Sequence, residues 1–264
     1  MTINILISTM NEGINSINKN ILNINKNINI IICHQITKYI NPINPINKQV
    51  KIIEMKEKGL SKSRNSFLLN NLSGICILSD DDVLYEDDLK VNIQKAYKKY
   101  PDADIITFQA KTPEDGYFKN YSSIPFEHTQ RTVAKVSSIE VTFKAKSIRD
   151  SKILFDERFG LGSTYKTGEE YIFLSDCLKK GLKVVYYPLP ISIHPIESSG
   201  KVFSEEMFIA KGAVFYRVFS NLSYIISFLF AVKKHPLYKE KLSFTKACKS
   251  ILIGINQIKK DSNG

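Results

Sequence analysis

The chain has 264 residues, enough for one large α/β domain or one domain with an appendage, and its 43% hydrophobic content supports a sizeable core. Four widely spaced cysteines (Cys33, Cys76, Cys177, Cys248) form no CxxC pair, which argues against a disulfide framework or a zinc site and for the reduced, mostly buried thiols of a cytosolic protein. The net charge is +11, and from Lys201 onward eleven Lys and Arg face four Asp and Glu, so +7 of it sits in the last quarter and points to an anionic partner, nucleic acid or acidic lipid.

The N-terminus has no basic stretch ahead of a long apolar one, so no signal peptide is expected. Ile3 to Ser8 reads as an apolar strand, closed by Thr9-Met10-Asn11-Glu12-Gly13. Ile14, Ile17, Ile21 and Ile24 recur at helical spacing. Ile28 to Cys33 predicts a second strand, followed by His34-Gln35, and prolines mark a loop at 41–45. Val50 to Met55 predicts a third strand, and Gly59 opens a helix with Leu60, Phe67, Leu68 and Leu72 on its apolar side. Ile75 to Ser79 is a short β-branched run that ends in Asp80-Asp81-Asp82. An amphipathic helix follows from Glu86 to Tyr100, then a strand from Asp104 to Ala110. This alternation implies βαβ units and a mostly parallel sheet. Residues 111–145 are polar loops around short β-like runs such as Ser138 to Lys144. Gly168-Glu169-Glu170 opens a helix to Lys180, with Gly181 as its C-cap, and Lys183 to His194 is again strand-like. From Ser204 the pattern is helical. The apolar part of Val214 to Val232 is interrupted by Arg217 and Asn221 and is nearer ten residues than the roughly 20 of a spanning helix. It suits a buried core helix, a dimer surface, or an interfacial helix flanked by Lys233, Lys234 and His235.

Three stretches carry chemistry, and each also has an ordinary structural reading. Three adjacent carboxylates at a strand's carboxyl end repel one another, and Mg²⁺ or Mn²⁺ offsets that repulsion; the alternative is a solvated acidic loop running into Glu86, Asp87 and Asp88. Ser61-Lys62-Ser63-Arg64 at a helix start suits phosphate oxygens; the alternative is capping by a serine with Lys62 and Arg64 in solvent. Gly168-Glu169-Glu170 also stands at a helix start, where the ordinary reading is that the two acids complement the helix dipole.

Together these stretches resemble the inverting glycosyltransferases of family 2, of the bacterial polysaccharide-synthesis type, over about residues 3 to 195. Ser8-Thr9-Met10-Asn11 is similar to the family's opening motif, Gly59 to Asn65 to its glycine-to-Arg-Asn segment, Ile77 to Val83 to its DxD strand, and Phe159 to Glu170 to its Phe-Gly-Leu-Gly and Gly-Glu-Glu pair. The resemblance implies a GT-A fold, α/β with a Rossmann-like, mostly parallel central sheet flanked by helices, over residues 1–200, and a basic, apolar helical extension over 201–264. It implies a donor pocket of Thr9, Asn11, Gln35, Lys62, Arg64 and Asp80. Asp81 is the expected main ligand of Mn²⁺ or Mg²⁺, with Asp82 in support and His194 beside the metal or diphosphate. Glu170 is the expected catalytic base, with Glu169 as second choice. Cys33-His34-Gln35 departs from the acidic pair with which the family binds its base.

The function implied is transfer of a sugar from a nucleoside diphosphate donor, a UDP-sugar, to a hydroxyl of a glycan or lipid-linked saccharide for a bacterial surface polysaccharide. The expected setting is the cytoplasm, with contact to the inner membrane face or a homo-oligomer through the extension. The alternatives are a degenerate subunit that binds sugar nucleotide or glycan without catalysis, a nucleotidyltransferase using the same metal chemistry, and a nucleic-acid binder. No nucleic-acid motif accompanies the charge, so no nucleic-acid partner is expected.

Overall fold

The structure, a computed structural model, describes residues 1–17, 28–38, 50–114, 116–195 and 203–261. Ile21 and Ile24 of the first expected helix, the proline loop at 41–45, and Ser198, Ser199 and Lys201 lie outside the described residues.

Among the described residues nine strands make one sheet, in the order β3-β2-β1-β4-β8-β6-β9-β5, with β7 also on β9. They are β1 Ile3–Met10, β2 Asn29–Gln35, β3 Val50–Met55, β4 Ile75–Asp80, β5 Leu84–Tyr85, β6 Ile105–Lys111, β7 Phe126–Glu127, β8 Val141–Lys144 and β9 Val184–Ile193. The pairs β1·β2, β2·β3, β1·β4 and β6·β9 are parallel. β8 enters antiparallel between β4 and β6, and β5 and β7 run against β9. Six strands therefore share one direction and three oppose it, so the expected parallel sheet is present with an antiparallel insertion. The stretch from 138 divides into a single 3₁₀ turn over Ser138–Glu140 and the strand β8.

Register decides which side chains meet at the sheet's carboxyl edge. Ser8 stands beside Asp80 and Met10 beside Gln35, so the ends of β1, β2 and β4 converge. The strands alternate between two buried faces. Ile3, Ile5, Ile7, Ile75 and Ile77 pack with Leu89, Ile93 and Ala96 of helix α2, Leu89–Lys99. Leu6, Cys76, Leu78 and Phe143 pack on the opposite side with Phe67 of helix α1, Leu60–Leu69, and with Phe155 and Phe173. Short helix α3, Ala145–Ser151, buries Ala145 and Ile148 in the same cluster. Phe173 belongs to helix α4, Glu169–Lys179.

The C-terminal region is three helices: α5 Glu205–Phe219, α6 Ser223–Tyr238 and α7 Phe244–Asp261. Glu205–Tyr238 is long and apolar enough to cross a membrane by length and composition. The chain nevertheless breaks at Ser220, with φ 51° and ψ −126°, into helices of 15 and 16 residues. A Cβ on Gly212 would lie 2.1 Å from the Ile251 carbonyl oxygen, and one on Gly254 1.9 Å from that of Ile209. The two glycines therefore let α5 and α7 cross at backbone contact. Arg217 ties α5 to the sheet domain through Asp176 at 2.7 Å and Asp156 at 2.9 Å.

Candidate active site

A cavity of about 910 Å³ opens at the carboxyl edge of the sheet, within the range typical of ligand sites. β1 supplies Ser8, Thr9 and Met10, β2 supplies Gln35, and β4 and its following turn supply Asp80 and Asp81. α1 supplies Arg64, α4 Glu169 and Glu170, the turn before β8 Ser138, and the end of β9 His194. Eight of the eleven residues expected at a site thus border one cavity or its ion pairs: Thr9, Gln35, Arg64, Asp80, Asp81, Glu169, Glu170 and His194.

Arg64 is the hub. It is 2% exposed, and its guanidinium reaches Glu170 at 3.1 Å, Glu169 at 3.4 Å and Asp80 at 3.5 Å, over the Phe155 ring. Burial opposes its charge, but Glu170, Glu169 and Asp80 together outweigh that and hold the guanidinium firmly protonated. The same contacts fix where the carboxylates point. Burial, reinforced by Glu170 and offset by Arg64, lifts Glu169 from 4.5 to about 8. Glu170, the more exposed of the two, faces the cavity.

Two glycines make this packing possible. Gly160 has φ 100°, and a Cβ there would meet the Glu169 carboxyl carbon at 3.1 Å. Gly168 caps α4 with φ 95°, where a Cβ would lie 2.4 Å from Val214 of α5.

At the acidic triplet the three side chains diverge. Asp80 accepts from Ser138 Oγ at 3.1 Å and pairs with Arg64. Asp81 accepts from Thr9 Oγ1 at 2.6 Å, and both crowd the α-carbon of Gly13, whose Cβ would lie 2.6 Å from the Asp81 oxygen. Burial pushes the carboxyl groups of both Asp80 and Asp81 up, a charge cost that a bound cation would relieve. Asp82 lies 3.2 Å from His194 Nε2; that hydrogen bond depresses Asp82 and raises His194. His194 Nδ1 donates to the Pro195 carbonyl at 2.6 Å, which aims Nε2 at Asp82. Among the described residues no three His, Cys, Asp or Glu side chains are grouped so as to hold a metal ion. Of the hard or borderline donors, Asp81 and His194 border the open cavity, and Asp82 reaches it through His194. That suits Mg²⁺ or Mn²⁺, which complete their shell with water and phosphate oxygens.

Gln35 is 5% exposed, and its Oε1 accepts the Gly59 N–H at 2.6 Å. Because a backbone N–H can only donate, the amide is oriented, and Nε2 is left to donate elsewhere. Three expected site residues lie off the cavity wall. Asn11, with φ 48°, spends its side chain on Thr37, at 2.9 Å to the backbone N–H and 3.0 Å to the hydroxyl. Lys62 pairs with Glu57 on the surface. Asp82 touches the site only through His194.

The sequence reading missed the contribution of α5. Glu206, Met207, Ile209, Ala210 and Lys211 line the cavity, and Glu206 reaches Lys166 on the opposing loop at 3.2 Å. Burial lowers the Lys211 pKa, and the charges of Glu170 and Glu169 partly restore it. The only sequence signal was a single lysine inside an apolar helical run.

No protein-family model matches the chain, and no curated protein sequence matches it. Solved structures do resemble it. The TarS chain from S. aureus superposes with a TM-score of 0.59 at 11% identity over 89% of this chain; this chain spans 44% of that one, less than half its length. TarS 1–349 in complex with UDP-GlcNAc gives 0.62 at 10% identity, covering 98% of this chain and 80% of that one. The mannosyltransferase PcManGT from Pyrobaculum calidifontis, in complex with GDP-Man and Mn²⁺, gives 0.53 at 12% identity, covering 97% and 74%. At such identities the likeness establishes the fold: the chain has the GT-A architecture that its motifs imply.

Proposed function

We propose that this chain is a metal-dependent inverting glycosyltransferase of the family 2 type. It transfers a sugar from a nucleoside diphosphate donor, a UDP-sugar, to a hydroxyl of a glycan or lipid-linked saccharide in bacterial surface polysaccharide synthesis, in the cytoplasm. One observation carries the reading: Arg64 holds Asp80 of the acidic strand end and Glu170 of α4 on the same cavity, joining a donor-side group to a base. The donor complexes of the two superposed proteins, UDP-GlcNAc in one and GDP-Man with Mn²⁺ in the other, support a sugar nucleotide as the ligand of this cavity.

The residues divide the work. Asp81 and Asp82, with His194, would hold Mn²⁺ or Mg²⁺, which supplies Lewis-acid neutralisation of the leaving diphosphate. Thr9 orients Asp81 through its 2.6 Å hydrogen bond. Asp80, held by Ser138 and Arg64, faces the donor ribose. Gln35 presents its Nε2 to a carbonyl of the base. Glu170 takes the proton of the acceptor hydroxyl as that oxygen bonds to the anomeric carbon. The bond from that carbon to the diphosphate oxygen breaks, and its electron pair leaves with the diphosphate. A single displacement inverts the carbon, and no glycosyl-enzyme forms. Glu169 is packed away from solvent and burial raises its carboxyl, while Glu170 is the more exposed of the two on the cavity, so Glu169 acts as a packed partner and Glu170 as the base.

A screen of UDP-, GDP- and dTDP-sugars for nucleotide release, with Mn²⁺ or with EDTA, tests this. The expected outcome is release from a UDP-sugar that EDTA abolishes, giving a product of inverted anomeric configuration. Release that is indifferent to EDTA, or a retained configuration, contradicts the mechanism. Donor binding without turnover across acceptors would favour a binding subunit.

A further inference from the structure

The face of α6 turned to solvent is the most apolar exposed surface along the C-terminal helices. Leu222, Ile225, Phe228, Leu229 and Val232 are 62%, 62%, 55%, 60% and 47% exposed. They recur at three- and four-residue spacing, on one stripe of the helix and the turn that starts it. The buried side of the same helix carries Ser223, Ser227, Ala231 and Tyr238. Ser223, Ser227 and Ala231 face the protein along the first half of the helix, joined by Phe230 and Tyr238 further on, while five large apolar side chains face outward. Five large side chains aligned in this way mark a site of contact.

Charge selects the partner. Lys233, Lys239 and Lys241 are exposed just beyond the apolar stripe, Lys234 is half-buried, and Glu240 is the one acid between residues 222 and 241. A second copy of this chain would bring lysines to a face that holds a single carboxylate to receive them. A bilayer with anionic headgroups receives both parts, acyl chains for the stripe and phosphates for the lysines.

We infer that α6 docks this protein on an anionic lipid surface, with the Leu222–Val232 stripe at headgroup depth and Lys233, Lys239 and Lys241 on lipid phosphates. The break at Ser220 is what permits it. α5 lines the cavity, while α6 folds back along it, with Phe230 on Phe215 and Phe208, and leaves its other face at the surface of the bundle. Phe230 and Tyr238 of α6 pack on Phe208, next to the cavity-lining Met207 and Ile209, so docking brings the cavity end of α5 towards the membrane. Resting on the glycosyltransferase reading, this selects the lipid-linked saccharide as the acceptor class over a soluble glycan.

The test is flotation of the purified protein with phosphatidylcholine vesicles, with and without phosphatidylglycerol. The expected result is flotation with the anionic vesicles only, weakened by salt. It should fall about tenfold or more in Phe228→Glu/Leu229→Glu and also drop in Lys233→Glu/Lys239→Glu. These positions are exposed, so the melting temperature and nucleotide binding should be unchanged; if melting shifts, Phe228→Ser/Leu229→Ser serves as the milder pair. No flotation of the unaltered protein overturns the inference. So does a dimer in solution that the Phe228→Glu/Leu229→Glu pair dissociates, or membrane association that resists alkaline carbonate. Vesicle binding does not require turnover, so it stands or falls apart from the transferase reading. The acceptor class fails if the Phe228→Glu/Leu229→Glu pair loses no more activity on a lipid-linked acceptor than on a water-soluble one.

Discussion

Arg64 faces three carboxyl groups from a position that is 2% exposed, and its removal takes the counter-charge from Glu170 and Asp80, which are 20% and 34% exposed. Arg64→Met is expected to lower the unfolding free energy by about 1–3 kcal/mol, read from urea denaturation. Arg64→Lys should recover little, since one ammonium cannot replace a planar fork over Phe155. Glu169 gives a pH signature. Its carboxyl is raised from 4.5 to about 8, so the folded state binds the extra proton through that window. Stability is therefore fully present at low pH and declines as pH rises from about 4.5 to 8, by up to about 1.4 kcal/mol per pH unit. Glu169→Gln should flatten that decline in melting curves; an unchanged slope would show that Glu169 is ionised in the fold. At Gln35 the sequence left the base contact open, because Cys33-His34-Gln35 stands where the family has an acidic pair. The Gly59 N–H orients the amide, with Oε1 taken and Nε2 left to donate. Gln35→Glu replaces a donor with an acceptor and sets a carboxylate beside the same N–H. It should weaken binding of the preferred nucleotide by about tenfold or more, read by calorimetry.

At the scale of elements, continuous apolar, β-branched runs located β1 to β4 and β6, most of them buried on both faces, and helical spacing located α1, α2 and α4, each with one face to bury. β8 and α3 were less legible. β8 is four residues long and takes its place from β4 and β6 on either side, a tertiary cause that no local pattern records. The role of α5 was hidden for a related reason. Its apolar run predicted a helix, but only the glycine crossing with α7 shows that it is pressed into the site. Alanine at Gly212 or Gly254 would gain about 1 kcal/mol of helix propensity. Against that, a Cβ 2.1 Å or 1.9 Å from a backbone carbonyl cannot be relieved by rotating a side chain. Separation of the helices should win, at about 1–3 kcal/mol of net destabilisation and with weaker ligand binding in the cavity. A raised melting temperature in Gly254→Ala would contradict it.

For the whole molecule, the order of motifs was informative where any one of them was not. Thr9, Arg64, Asp80-Asp81-Asp82 and Glu169-Glu170 are spread over 160 residues and meet because β1, β4, α1 and α4 all end or start at one edge of the sheet. What sequence could not show was which members of each motif turn inward. Arg64 does and Lys62 does not; Asp81 borders the cavity, while Asp82 is turned to His194. The central claim is that the two halves of this site, the acidic strand end and the carboxylate of α4, act in one displacement. The most direct measurement is sugar transfer from the donor found by the nucleotide-release screen, compared in the unaltered protein, Asp81→Asn and Glu170→Gln. The account predicts a loss of about 10²–10⁴-fold in each variant, with donor binding preserved in Glu170→Gln. Full transfer by either variant would contradict it.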